Sequence, residues 1–219
     1  MKRLLVLLFV ALAVPGSALA ALSGGGGTTI ANGQATLVSN ATSPYSYLSF
    51  DDLNGQPVDS LTELSADVAW ATWGGGSPRF SVEVSNGTTT KDIFVYLGDL
   101  PNYTTSATTG DTGNLLNADV NGARVDSTQV GGPFYGTWSD AVTAAHDGDY
   151  GTITDVSFVV DGDWAQPSGS QTVVLDNASI NGVVYDFTAA AKSDCKDGNW
   201  QTLGYKNQGA CISSVETGH

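Results

Sequence analysis

Apolar and polar residues alternate with a period of two along most of this chain, the repeat of a strand with one face buried. Leu64, Ala66, Val68 and Trp70 fall on one face of a predicted strand. Phe80, Val82 and Val84 point one way, and Arg79, Ser81 and Glu83 the other. In the run Tyr45 to Phe50, Leu48 and Phe50 turn inward, which turns Tyr45 and Tyr47 outward. In the run Ile153 to Asp161, Val156, Phe158 and Val160 share the inner face and leave Asp155 and Ser157 outside. Asp92 to Leu97 reads as a short strand buried on both faces. Asn181-Gly182 lies between Ile180 and Val183, the signal for a two-residue type I′ hairpin. The alternation breaks at Ser139 to His146, where one or two helical turns are expected.

Strands separated by Gly-, Asn- and Asp-rich turns, with no long amphipathic helix and no internal repeat, predict an all-β chain of two packed antiparallel sheets. Long strands, long loops and no Cys–Trp–Cys spacing favour a jelly-roll β-sandwich over an immunoglobulin-like one. The expected organisation is a signal peptide at 1–20, a flexible leader and first strand at 21–44, the sandwich at 45–187, and a linker with a disulfide-closed tail at 188–219.

The first residues point to export. Lys2 and Arg3 precede an apolar run from Leu4 to Val14, too short to span a bilayer, and Ala18-Leu-Ala20 has the small-x-small form of a cleavage site. The expected location is extracellular, without membrane insertion after cleavage. Gly24 to Gly27 reads as part of the flexible leader.

The chain carries 8 basic and 22 acidic residues; without Lys2 and Arg3, six basic residues face 22 acidic ones, a formal charge of −16. Nearly all the acid is Asp, with Glu63, Glu83 and Glu216 the only glutamates. Phosphate-backbone binding needs a basic surface, so nucleic acid is excluded as a partner, and anionic lipid is disfavoured for the same reason. In an exported chain the only two cysteines, Cys195 and Cys211, are expected to form a disulfide.

Several segments carry a resemblance. Gly74-Gly-Gly-Ser-Pro-Arg-Phe80, Ile93-Phe-Val-Tyr-Leu-Gly98, Pro101-Asn-Tyr103, Phe158-Val-Val-Asp-Gly-Asp-Trp164 and Gln171-Thr-Val-Val-Leu-Asp-Asn177 resemble a set found in secreted bacterial jelly-roll proteins of no assigned activity. The last strands are similar to the closing strands of carbohydrate-binding jelly rolls. Cys195-Lys-Asp-Gly-Asn-Trp200, Gly204, Asn207-Gln-Gly209 and Cys211 resemble a short tail carried by such proteins. The resemblance spans residues 45–187 and 192–217. It implies a sandwich, and by analogy of fold a carbohydrate partner and a structural calcium held by an Asp before the final hairpin.

Catalytic motifs are missing. A glycosidase needs two carboxylates flanking the bond, expected here as acids alternating along one strand; Glu83 stands alone between Ser81 and Ser85. A lyase would want a His–Tyr pair with cations, but His146 sits in an Asp-rich loop and His219 at the end. No Gly-x-Ser-x-Gly elbow or His-Glu-x-x-His motif occurs. The expectation is therefore no enzymatic activity.

For Ca²⁺, which takes six to eight oxygen ligands, the expected set is Asp176 with Asp51 and Asp52, since the first and last strands of a jelly roll lie close. Asp147-Gly-Asp149 and Asp161-Gly-Asp163 have the alternative reading of ordinary turns. For a glycan, the expected contacts are Tyr45, Tyr47, Trp73, Trp138 and Trp164, whose rings stack on sugar faces, and Arg79 for hydroxyls, unless Arg79 pairs with an Asp across the sheet. The leading expectation is a secreted carbohydrate-binding protein, with a surface or matrix protein and a polysaccharide-active enzyme as alternatives.

Overall fold

The structure is a computed structural model that describes residues 22–31, 33–71, 76–98, 109–161 and 170–187, and in the tail 192, 195–196, 198–203 and 205–217. The expected signal peptide, Trp73 and Trp164 lie outside these residues.

Two antiparallel sheets pack face to face as a jelly-roll sandwich. Sheet A contains β1 (Leu22–Gly25), β4 (Tyr45–Phe50), β6 (Arg79–Ser85), β7 (Thr90–Tyr96), β9 (Val125–Asp126) and β10 (Thr152–Asp161), in the order β1-β4-β10-β6-β7-β9. Sheet B contains β2 (Thr28–Ala31), β3 (Gln34–Ser39), β5 (Leu64–Ala71), β8 (Gly110–Asp111) and β11 (Gln171–Ile180), in the order β2-β3-β11-β5-β8; β12 (Val183–Asp186) pairs with β11 as well. From β3 to β6 the chain alternates between the sheets. The late strands β10 and β11 then slot into the middle of sheets A and B respectively, beside strands laid down early.

The inner faces interlock through one hydrophobic core. Leu48, Phe80, Val82, Ile93, Val95, Val156 and Phe158 from sheet A meet Leu37, Leu64, Val68, Val173 and Leu175 from sheet B, all buried. Phe80 sets its ring edge-on to Phe158 at 5.2 Å, and Phe50 meets Tyr185 at 4.6 Å, a packing that aromatic quadrupoles favour.

Two breaks in the alternation are absorbed by bulges. Ile153 and Val156 both point inward although they are three positions apart, and β10 shifts register against β6 between Ile153 and Asp155. Leu175 and Ala178 are accommodated in the same way in β11. The first bulge leaves both Thr154 and Asp155 partly exposed beside Glu83.

The expected turn and helix both form. Asn181 (φ 50°) and Gly182 (φ 78°) carry the two positive φ angles a type I′ turn requires. Asn181 also accepts hydrogen bonds from the Thr62 and Glu63 amides, tying the hairpin to the start of β5. The alternation break is α2 (Trp138–Asp147), preceded by a single turn, α1 (Ala118–Asn121). Thr137 and Asp140 close a reciprocal capping box at the start of α2.

Three expectations need correction. Gly24 to Gly27 is not a flexible leader: Gly24 and Gly25 pair with Leu48 and Tyr47 in β1, and the following residues turn into β2. The sandwich therefore begins at Leu22 rather than Tyr45. β7 is not buried on both faces, because Asp92 and Phe94 on its outer side stay partly exposed while Ile93 and Val95 fill the core.

The tail has a small core of its own. Cys195 and Cys211 are bonded (S–S 2.10 Å) and buried with Leu203, and Trp200, Tyr205, Ile212 and Val215 pack around them. The helices there are α3 (Asn199–Thr202) and α4 (Gln208–Thr217). Gln201 shares a cleft of about 360 Å³ with Leu22–Gly24 and Thr28–Ile30, which places the tail beside the strands that edge the two sheets. No helix among the described residues is long and apolar enough to cross a membrane.

Candidate functional site

The outer face of sheet A gathers the polar and aromatic side chains that alternation turns away from the core. Four rows cross it. Asp161 stands opposite Tyr45; Val159 lies between Tyr47 and Arg79, with Tyr96 beyond; Ser157 lies between Ser49 and Ser81, followed by Phe94 and Asp126. The last row is Asp155, Glu83 and Asp92. From β4 to β9 this face spans about 19 Å, four strand spacings.

Arg79 sits in the middle and is buried. Its guanidinium pairs with Asp161 at 3.2 Å, donates to the Gly76 carbonyl at 3.1 Å and stacks 4.7 Å above the Phe94 ring. A cation removed from water needs such partners, and the pairing across β6 and β10 is the one its cross-strand alternative anticipated.

Tyr45 and Tyr47 form the aromatic end. Their ring centroids are 5.6 Å apart and tilted by 37°, and Tyr45 is 44% exposed. Burial raises the Tyr45 hydroxyl above its usual range; Arg79 opposes this, while Asp92 and Asp155 add to it. Both tyrosines stand on the same outer face as the carboxylate row, at the other end of the strands.

The row itself was invisible along any single strand. Glu83, isolated within β6, has Asp92 opposite it on β7 and Asp155 opposite it on β10. Hydroxyls serve all three: Ser81 donates to Asp92 (2.8 Å), Thr154 to Glu83 (2.7 Å), and Ser49 to Asp155. Burial is the main cause that pushes the Asp92 and Asp155 carboxyls above the ordinary range, and the Glu83 charge pushes the same way. The signal that finds this row is register: once β6 pairs with both β7 and β10, position 83 meets positions 92 and 155.

The other expected contacts are placed differently. Trp138 is not on a binding rim. It opens α2, is buried at 9% exposure, and donates its indole N–H to the Leu61 carbonyl at 2.9 Å, because a buried indole must satisfy its one donor. Asp51 and Asp52 are exposed in a 3-10 turn after β4, and the Tyr185 hydroxyl donates to Asp52 at 2.5 Å. Asp176 instead accepts from the Gln34 amide at 2.8 Å on the neighbouring strand β3. Among the described residues no group of three or more His, Cys, Asp and Glu side chains is arranged to hold a metal ion, so these three aspartates do not converge as one. Asp147-Gly-Asp149 ends α2, with Asp149 at φ 63°.

A second aromatic pair escaped sequence reasoning. Phe134 and Tyr135, 37% and 46% exposed, meet edge to face at 4.7 Å. They precede Gly136, which bridges Val125 at the β9 edge of sheet A. Nearby, Val130–Pro133 and the Asp140–Gly148 side of α2 border a cleft of about 430 Å³.

Comparison with models of protein families, with curated proteins and with solved structures finds no match.

Proposed function

We propose that this is a secreted carbohydrate-binding protein whose recognition surface is the outer face of sheet A. The observation that carries the reading is the Tyr45–Tyr47 pair, with Tyr45 exposed and Tyr47 half-buried, on the same face as the partly exposed Glu83, Asp92 and Asp155. Sugars offer apolar ring faces to aromatic side chains and hydroxyls to carboxylates and hydroxyl side chains, and this face carries both kinds of partner. Its polar groups are held in place before any ligand arrives: Ser81, Ser49 and Thr154 orient the acids, and Asp161 orients Arg79. Such preorganisation lowers the ordering cost of binding. The disulfide in the tail accords with an extracellular setting.

A glycan array probed with the mature chain, with and without chelator, tests the reading. Binding that falls at least about tenfold in Tyr45→Ala is the expected result. A chelator-sensitive signal would add the structural calcium. No binding in either condition would remove carbohydrate as the partner.

The carboxylate row favours one second reading, cleavage of the bound glycan. Glycoside hydrolysis uses two carboxyl groups flanking the scissile bond, and Glu83 stands opposite Asp92 and Asp155 on the adjacent strands. New reducing ends released by the wild type and not by Glu83→Gln would establish it.

A further inference from the structure

We infer that the ligand of the sheet A face carries ammonium groups: an amino-sugar polymer rather than a neutral glycan. The inference rests on the binding reading above and adds the charge of the ligand.

Charge bookkeeping across the face leaves a gap. Five acids stand on it: Glu83, Asp92, Asp126, Asp155 and Asp161. The cation among them is Arg79, already paired with Asp161. The other two cations of the sandwich are directed elsewhere. Arg124 donates to the Tyr96, Leu97 and Asn121 carbonyls, and the Lys91 ammonium sits 5.5 Å from the Tyr150 ring. The remaining lysines of the mature chain, Lys192, Lys196 and Lys206, belong to the tail.

Like charges directly opposite one another across strands are destabilising, yet Glu83 faces one on each side. Partial burial of Asp92 and Asp155 sharpens the cost, and a cation placed over the row would relieve it. The aromatic pair is an independent observation on the same surface. A tyrosine ring presents a negative face that attracts an ammonium group as well as a sugar ring, and the pair stands on the same face as Glu83, Asp92 and Asp155. A polymer of amino sugars supplies both a stacking face and a repeated ammonium. A neutral glucan supplies only the first.

The test is calorimetric titration of the mature chain at about pH 6 with hexaglucosamine, its fully N-acetylated hexamer, cellohexaose and pentalysine, in about 10 mM and about 0.5 M salt. Hexaglucosamine is expected to bind at least about tenfold more tightly than the other three in low salt. Its advantage should shrink in high salt and in Glu83→Gln. Equal or tighter binding of either neutral hexamer overturns the inference and leaves the carbohydrate reading standing. Pentalysine binding as tightly as hexaglucosamine also overturns it, and points to a basic protein partner. No binding of any sugar overturns the inference together with the reading beneath it.

Discussion

The ring of Tyr47 lies against the backbone of Gly25. A methyl group added to Gly25 would stand 2.6 Å from two ring atoms and the hydroxyl oxygen of Tyr47, well inside contact distance. The glycine at position 25 is therefore a packing surface for one ring of the aromatic pair proposed to bind sugar.

Gly25→Ala should displace Tyr47 and destabilise the protein by about 1–3 kcal/mol, the usual cost of overpacking. Gly24→Ala meets nothing closer than the Thr28 methyl at 3.0 Å and should cost less. Urea denaturation of both variants measures the difference. Equal midpoints would mean that the β1 backbone does not support the ring.

The carboxylate row makes stability depend on pH in a direction opposite to that of a salt-bridged acid. Because burial holds Asp92 and Asp155 above the ordinary carboxyl range, the folded chain keeps protons that the unfolded chain has released. Their contribution to stability is thus intact below about pH 4 and is lost as pH rises through their folded values. Glu83→Gln removes the shared neighbour and keeps an oxygen to accept from Thr154. It should raise the melting temperature at pH 7 and lose that advantage below about pH 4. A variant less stable than wild type at pH 7 would show that the Glu83 charge is compensated. Asp140, lowered by its bonds to Thr137, acts in the other direction in both proteins and cancels from the comparison.

The tail should respond to reduction on its own. Among the described residues its buried cluster contains both cysteines, with Leu203, Trp200, Tyr205, Ile212 and Val215 of the tail around them. The disulfide closes a loop of about 15 residues, which in the chain-entropy picture is worth about 3 kcal/mol. Cys195→Ser with Cys211→Ser should therefore lose the helical signal of α4 while the sandwich keeps its unfolding midpoint. A large fall in that midpoint would show that the tail supports the sheets.

Much of the sandwich was legible because alternation reports burial residue by residue. The inward sets on β4, β6 and β10 follow directly from it, as do the type I′ turn at Asn181-Gly182 and the helix after Thr137. What alternation does not report is which strand lies beside which. Glu83 seemed isolated because its partners come from β7 and β10, and β10 reaches it only after crossing some 70 residues of sequence. Trp138 seemed available because position in sequence does not distinguish a helix start facing the core from a loop facing solvent. Gly24 to Gly27 seemed flexible because a glycine run can bend freely or let a ring approach the backbone, and only the neighbouring ring decides.

The most direct test is a ¹⁵N–¹H titration of residues 21–219, first with hexaglucosamine and then with cellohexaose. The account expects saturable shifts confined to β4, β6, β7 and β10 around Tyr45, Tyr47, Arg79, Glu83, Asp92 and Asp155, with sheet B and the tail unmoved. Shifts centred on sheet B, on the α2 cleft or on the tail would contradict it, as would a spectrum that neither sugar changes.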